Sequence, residues 1–516
     1  MTPVPAGFDR CLLARFAGQR PPDWLRRWLD EGLAGVVLFA RNIESPDQLR
    51  ALVADLRAHR EDLIVAVDEE GGLVSRLEAR TGSSFPGNSA LGAVDDPDLT
   101  RQIAGAIGGM LVAAGISLDL APVADLDASP VIGVRSFGGD PVRVGVHTAA
   151  FVRGLQDCGV AACAKHFPGH GRAGGDSHLE LPEVSASLAT LRDSDLVPFR
   201  SAIEAGVRCV MTAHVLFPAV DSKAATLSQR WLTGVLRDEL GFGGVIMTDA
   251  LDMAAIGDDA DQAHGAVRAL AAGADLLCLP ADPQAQLRAR DAVAAAVRAG
   301  SIPSGRIEEA AARVGELTAW TLQHAGAARA AGLHASAAHA RELGLIAARR
   351  ALVTDLAMRS ARPSGGQPGA TQPGRLPGGA PFVLDAGWLR GAGVGESAAS
   401  LLTTLQAVLP GTEGVRLSEE SAELARVNEF IGRAESRPLV VVVRDARRRP
   451  WQRDLIAAVL ARRPDGIVVG TGGNDRHLAG ASYLGTRGPA RANVTAAAEL
   501  LAGLLSGRGA DSGQTL

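Results

Sequence analysis

The fold class this sequence predicts is an α/β architecture: an N-terminal (β/α)8 TIM-type barrel followed by a smaller C-terminal three-layer α/β sandwich. Three observations predict it. Short apolar, β-branched runs recur along the first 280 residues, segments of helical period lie between most of them, and polar residues collect where the runs stop. Continuous apolar runs alternating with helices signal a parallel sheet covered on both faces. Seven such runs within about 250 residues suit a closed barrel better than an open sheet.

The runs are "GVVLF" (35–39), "LIVAVDEE" (63–70), "GISLDLAPVADL" (115–126), "AACAKHF" (161–167), "CVMTAHV" (209–215), "GVIMTDALDM" (244–253) and "ADLLCLP" (274–280). Between the first two, "SPDQLRALVADLRAHR" (45–60) reads as a helix. Ser45 can cap it, Pro46 suits its first turn, and leucines recur on one face. At the run ends stand Asp68, Asp125, Lys165 and His166, His214 and Asp249. A parallel barrel brings all those ends to one face, so charged groups gathered there read as an active site rather than as helix caps.

Residues 304–353 read as a helix, an alanine-rich connection and a second helix, which places the boundary of the barrel near 325. The expected organisation is a catalytic barrel over 1–325, a connection over 326–340, and a C-terminal α/β domain over 341–516. "RPSGGQPGATQPGRLPGGAP" (362–381) has almost nothing to bury and reads as a flexible linker. "FVLDAG", "PLVVVVRDA" and "DGIVVGTGG" read as strands of the second domain, with "SAELARVNEFIGRA" as a helix. "VVGTGGN" lacks the spacing and the Lys-Ser/Thr of a phosphate loop and reads as a turn. "RDARRRPW" (444–451) reads as a solvated basic rim.

Composition narrows the function. The net charge of −5, from 52 basic and 57 acidic residues, exerts no general pull on nucleic acid or an anionic membrane. Among the five cysteines no pair has Cys-x-x-Cys spacing, and Cys163, Cys209 and Cys278 sit in apolar runs as buried small hydrophobes. The first residues lack the basic and apolar regions of a signal peptide, and no apolar stretch approaches the ~18 residues a membrane span needs. The expectation is a soluble cytoplasmic protein.

"KHFPGHGRAGGDSHLELP" (165–182) holds three of the eleven histidines. Lys165 and His166 end a strand, and the glycines and prolines after them make a loop. On that loop lie Asp176 and His178. A carboxylate beside an imidazole fixes its tautomer and stabilises the imidazolium, which makes a general acid/base near neutral pH. A metal site built from His166, His170, Asp176 and His178 is the competing reading. No compact ligand motif supports it, and Lys165 would add an opposing charge, so no metal and no organic cofactor are expected. Asp249 closes a buried strand. A carboxylate there, with a separate acid/base on a loop, suits glycoside hydrolysis with retention.

These motifs, "LFARNIES", "VDEEGGLVSRLE", "VRSFGGD", "KHFPGHG…DSHLELP" and "GVIMTDALDM", resemble the β-N-acetylglucosaminidase branch of glycoside hydrolase family 3, the NagZ-type enzymes. The resemblance covers about residues 30–320. It implies an exo-acting enzyme that removes terminal β-linked N-acetylglucosamine from small carbohydrates such as muropeptide fragments during cell-wall recycling. It implies Asp249 as nucleophile, His178 as acid/base with Asp176 as its partner, and Asp68, Arg76, Arg135, Lys165 and His166 as sugar-binding residues. Leu73 stands where the family often has an arginine, and "RAGGDSHLELP" replaces "DTAVDSHLALP". The partners expected are the sugar substrates alone, without nucleic acid or membrane, for a monomer or homodimer. A phosphorylase using inorganic phosphate, a broader β-glucosidase drawing its acid from the second domain, and a binding protein without turnover are the alternatives.

Overall fold

The computed structural model describes residues 7–129, 131–175, 177, 180–256, 259–330, 337–356, 378–387, 399–422, 424–444, 446–473 and 482–506. They form two compact units. One comprises Met1–Glu70, Val74–Leu77 and Asp95–Ala340; the other comprises Gly71–Leu73, Glu78–Val94 and Arg341–Leu516.

The first unit is a parallel barrel. Its strands are β1 (Leu12–Ala14), β2 (Gly35–Leu38), β3 (Ile64–Val67), β4 (Leu118–Asp119), β5 (Ala161–Phe167), β6 (Cys209–Thr212), β7 (Val245–Thr248) and β8 (Leu277–Cys278). Each pairs with its neighbour in chain order, and β1 pairs with β8 through Leu13 and Cys278. A bridge between Met247 and Leu276 joins the two ends and closes the ring. The ring has eight strands where seven apolar runs are legible. The extra one is β1, only three residues long and fully buried.

Helices between the strands start by a repeated device. Ser45 accepts from Gln48 N at 3.2 Å, Asp96 from Leu99 N at 3.0 Å, Asp140 from Arg143 N at 2.7 Å, and Asp282 from Ala285 N at 2.7 Å. Proline follows each cap, at Pro46, Pro97, Pro141 and Pro283. The capping oxygen satisfies a free N–H of the first turn, and proline there has no N–H to leave unpaired. Inside the ring, Ala66, Leu118, Cys163, Cys209, Met211, Met247 and Cys278 form one apolar core. All five cysteines are free thiols and buried: Cys163, Cys209 and Cys278 as their apolar runs imply, and Cys11 and Cys158 as well.

The run at 115–126 gives a shorter strand than its hydrophobicity suggests. Pro122 has no N–H for the ladder. The chain still follows β5, with Cys163 N donating to Ala121 O and Lys165 N to Pro122 O. Asp125 is thereby carried to the barrel rim.

The second unit is a six-stranded sheet in the order β11-β10-β12-β13-β14-β9. Its strands are β9 (Val353–Leu356), β10 (Phe382–Asp385), β11 (Glu413–Arg416), β12 (Leu439–Val443), β13 (Ile467–Gly470) and β14 (Ser482–Gly485), with only β9 antiparallel. Side chains alternate across it. Leu439, Val441 and Val443 face the helices Leu424–Ala434 and Pro450–Arg462. Val440 and Val442 face Leu401–Val408 and Arg491–Leu505. That is the three-layer arrangement. Of the linker expected at 362–381, residues 362–377 lie outside the described residues. No helix among the described residues is long and apolar enough to cross a membrane.

Candidate active site

Parallel strands deliver their C-terminal residues to one rim, and most of the residues singled out above belong to connected networks there. Lys165, the fifth residue of β5, is 1% exposed. Its Nζ lies 2.7 Å from Asp68 Oδ1, just after β3, and 2.7 Å from Glu70 Oε1. Glu70 also accepts from Arg135 Nε at 2.9 Å and Nη2 at 2.6 Å, a bidentate pair. The second oxygen of Asp68 accepts from Arg76 Nη2 at 3.2 Å.

Charge neutralisation follows from that geometry. Burial would raise the Asp68 carboxyl, but Lys165 and then Arg76 hold it well below the usual carboxylate range. Burial acts likewise on Glu70, yet Arg135 and Lys165 bring it down to about 2. Burial would lower Lys165, but Asp68 and Glu70 keep the ammonium charged above its ordinary range. The group is therefore a set of fixed charges, not a proton shuttle, at neutral pH.

Beneath it, Asp119 is fully buried. Its Oδ1 accepts from Glu69 N at 2.9 Å. Burial pushes this carboxyl well above its ordinary value, toward the neutral form.

His166 belongs to a second group. Its Nδ1 lies 2.7 Å from Asp125 Oδ2, and Asp125 Oδ1 accepts from His170 N at 2.7 Å. Burial would raise Asp125, but His166 keeps it below the ordinary range. The His170 ring is pushed down by burial and then by His166. Its Nε2 lies 2.9 Å from Ser177 Oγ, which ties the loop back to the barrel. Ser177 sits between Asp176 and His178, and both of those lie outside the described residues.

Asp249 follows β7 directly and is partly exposed. Its Oδ1 accepts from Ala250 N at 2.7 Å. His214 supports this turn from below, with Nε2 3.0 Å from Ala250 O and Nδ1 2.9 Å from Thr226 Oγ1. The Asp249 charge acts on the His170 ring in the opposite direction to burial and His166.

Glu70 completes the first network without having been singled out, and Asp125, marked only as a run end, completes the second. The signal for Glu70 was present: three consecutive acids, Asp68, Glu69 and Glu70, at the end of a buried strand require cations close by. Nothing comparable marked the Asp125 partnership, which depends on how the chain passes Pro122.

A closed α/β barrel whose ionisable groups gather at the C-terminal strand ends has the architecture of a TIM-barrel enzyme. The chain belongs to glycosyl hydrolase family 3, whose N-terminal domain profile matches residues 19–317. The protein named beta-hexosaminidase of Pseudomonas aeruginosa is 44% identical over 250 residues, which is 47% of this chain and 74% of that protein. The structure of a glycoside hydrolase family 3 β-N-acetylglucosaminidase from Paenibacillus sp. str. FPU-7 matches with a TM-score of 0.83 and 32% identity, covering 98% of this chain and 97% of that one. Native NagZ from Neisseria gonorrhoeae matches with a TM-score of 0.51 and 34% identity, over 62% of this chain and 99% of that one.

Proposed function

We propose that this protein is an exo-acting, retaining β-N-acetylglucosaminidase. The observation that carries the reading is the convergence of Asp68, Arg76, Arg135 and Lys165 on one fixed-charge network at the rim where Asp249 stands. Such a network offers charged hydrogen-bond partners to sugar hydroxyls, and bonds that tighten as the ring flattens lower the barrier. The choice of N-acetylglucosamine is supported by the names of the relatives above.

The mechanism runs in two displacements. An Asp249 carboxylate oxygen bonds to the anomeric carbon as the glycosidic C–O bond breaks. His178, protonated and oriented by Asp176, gives its proton to the leaving oxygen. Water then enters, His178 takes its proton, its oxygen bonds to the anomeric carbon, and the bond to Asp249 breaks. Two inversions return the β configuration. Lys165, Arg135, Arg76, Asp68 and His166 hold the sugar throughout. The sequence resemblance supports cell-wall muropeptides as substrates and the cytoplasm as the compartment.

The test is turnover of matched aryl β-N-acetylglucosaminide and β-glucoside by wild type and His178→Ala, each with and without phosphate. Preference for the N-acetylglucosaminide, with loss of about 100-fold or more in His178→Ala, is the expected result. Preference for the glucoside, or a near-silent His178→Ala, contradicts it. Sugar 1-phosphate as the main product would reassign the second step to phosphorolysis.

A further inference from the structure

Three guanidinium groups gather round one ring, from just after β1, just after β2 and the segment that follows β3. The Cζ atoms of Arg15 and Arg41 each lie 4.7 Å from the centroid of Phe39, and that of Arg76 lies 5.6 Å away. The ring face attracts each cation, but the cations repel one another. Two of them are compensated. Arg15 Nη1 bonds Asp252 Oδ1 at 2.6 Å, and Arg76 bonds Asp68.

Arg41 is different. It is exposed, and among the described residues it makes no hydrogen bond or ion pair. Partial burial and then Arg15 act to lower its basicity, while Asp252, the carboxylate bonded to Arg15, acts the other way. An arginine free to find solvent would lean away from two like charges. Donors are unspent as well: the Nε atoms of Arg15 and Arg76, both shielded from solvent, have no partner. Arg15 is 8% exposed and its carboxylate serves only Nη1. A rim with spare guanidinium donors and one guanidinium that no carboxylate bonds among the described residues is completed by an anion.

We infer that Arg41, together with Arg15 and Arg76, forms an anion-accepting subsite at the barrel mouth for a carboxylate or phosphate group. This rests on the activity proposed above. N-acetylglucosamine is neutral, so the anion must come from elsewhere. One source is a carboxylate on the leaving group, released with it on hydrolysis. The other is inorganic phosphate in the second displacement: a phosphate oxygen bonds to the anomeric carbon, the bond to Asp249 breaks, and a sugar 1-phosphate leaves. Arg76 links the subsite to the sugar network, since its Nη2 serves Asp68 while its Nε is unused.

The experiment uses two aryl β-N-acetylglucosaminides with the same ring, one bearing a free carboxylate and one its methyl ester. Wild type should prefer the acid, and Arg41→Ala should lower the acid-to-ester ratio of kcat/KM by about tenfold, with Arg41→Lys keeping part of it. Millimolar phosphate should compete with the acid in wild type and much less in Arg41→Ala; sugar 1-phosphate among the products identifies phosphate as the natural source. An equal ratio in wild type and Arg41→Ala overturns the subsite. If neither glycoside is cleaved, the proposed activity fails, and calorimetric titration of inorganic phosphate and benzoate decides the subsite alone. Binding weakened in Arg41→Ala upholds it; equal binding, or none to wild type, overturns it.

Discussion

Asp119 and Asp68 are carboxyls near the strand ends of one barrel, yet their surroundings push them in opposite directions. Asp68 has Lys165 and Arg76 against it and is held charged. Asp119 lies deeper, its Oδ1 taken by Glu69 N and its Oδ2 without a partner, and is pushed toward the neutral form. An amide can replace a neutral acid that acts through one accepting oxygen. Asp119→Asn is therefore expected to lose less than about 1 kcal/mol, while Asp119→Ala, which strands the Glu69 N–H, loses about 1–3 kcal/mol. Urea unfolding of the two variants checks this. Comparable losses would mean that the charge, not the acceptor, matters.

At the scale of elements, the helices Pro97–Ala114 and Pro141–Asp157 make a close crossing on the outside of the barrel. Gly154 permits it: a Cβ there would lie 2.3 Å from Arg101 O and 2.8 Å from Ala104 Cβ. Gly154→Ala must push backbone apart, and the expected cost is about 1–3 kcal/mol with kcat on the N-acetylglucosaminide kept. A melting scan beside an activity assay checks both halves; unaltered stability would contradict the close contact. Legibility also divides at this scale. Strands β2, β3, β5, β6 and β7 could be read because each has four or more buried residues in a row. In the second sheet, β11 has no buried residue and β9 carries two acid or hydroxyl side chains, so neither shows as an apolar run. Asp68, Arg76, Arg135, Lys165 and His166 were legible from motif and run end. Arg15, Arg41 and Asp252 were not, because Arg15 and Arg41 meet only over the ring of Phe39, and Asp252 joins them only through its ion pair with Arg15.

Across the whole molecule the barrel carries charge at both ends for different purposes. Ahead of β8, the fully buried Asp275 is bonded by Arg237, Arg306 and Arg313 and accepts Ile246 N, far from the rim residues in sequence and on the other side of the strands. Charge clusters at that end of a barrel serve stability. The rim network adds a pH dependence. Glu70 is depressed in the folded state from 4.5 to about 2, so its contribution is complete above pH 4.5 and is lost as pH falls toward 2. Lys165 is raised above 10.5, so its contribution is complete below that value and is lost at still higher pH. The network is thus intact from about pH 5 to 10. The stability gap between wild type and Glu70→Gln should be widest there and narrow by on the order of 3 kcal/mol between pH 5 and 2. Urea midpoints across that range measure it, and a constant gap would contradict the charge assignment.

The most direct measurement concerns Asp249. His178→Ala protein, given an aryl β-N-acetylglucosaminide with a strongly activated leaving group, needs no acid for the first displacement but lacks the base for the second. A glycosyl-enzyme should then accumulate. Peptide mapping by mass spectrometry should find one N-acetylhexosamine on the peptide holding Asp249 and none in the His178→Ala, Asp249→Ala double variant. Label on a different carboxylate, or turnover that inverts the anomeric centre with no adduct at all, would contradict the mechanism at its centre.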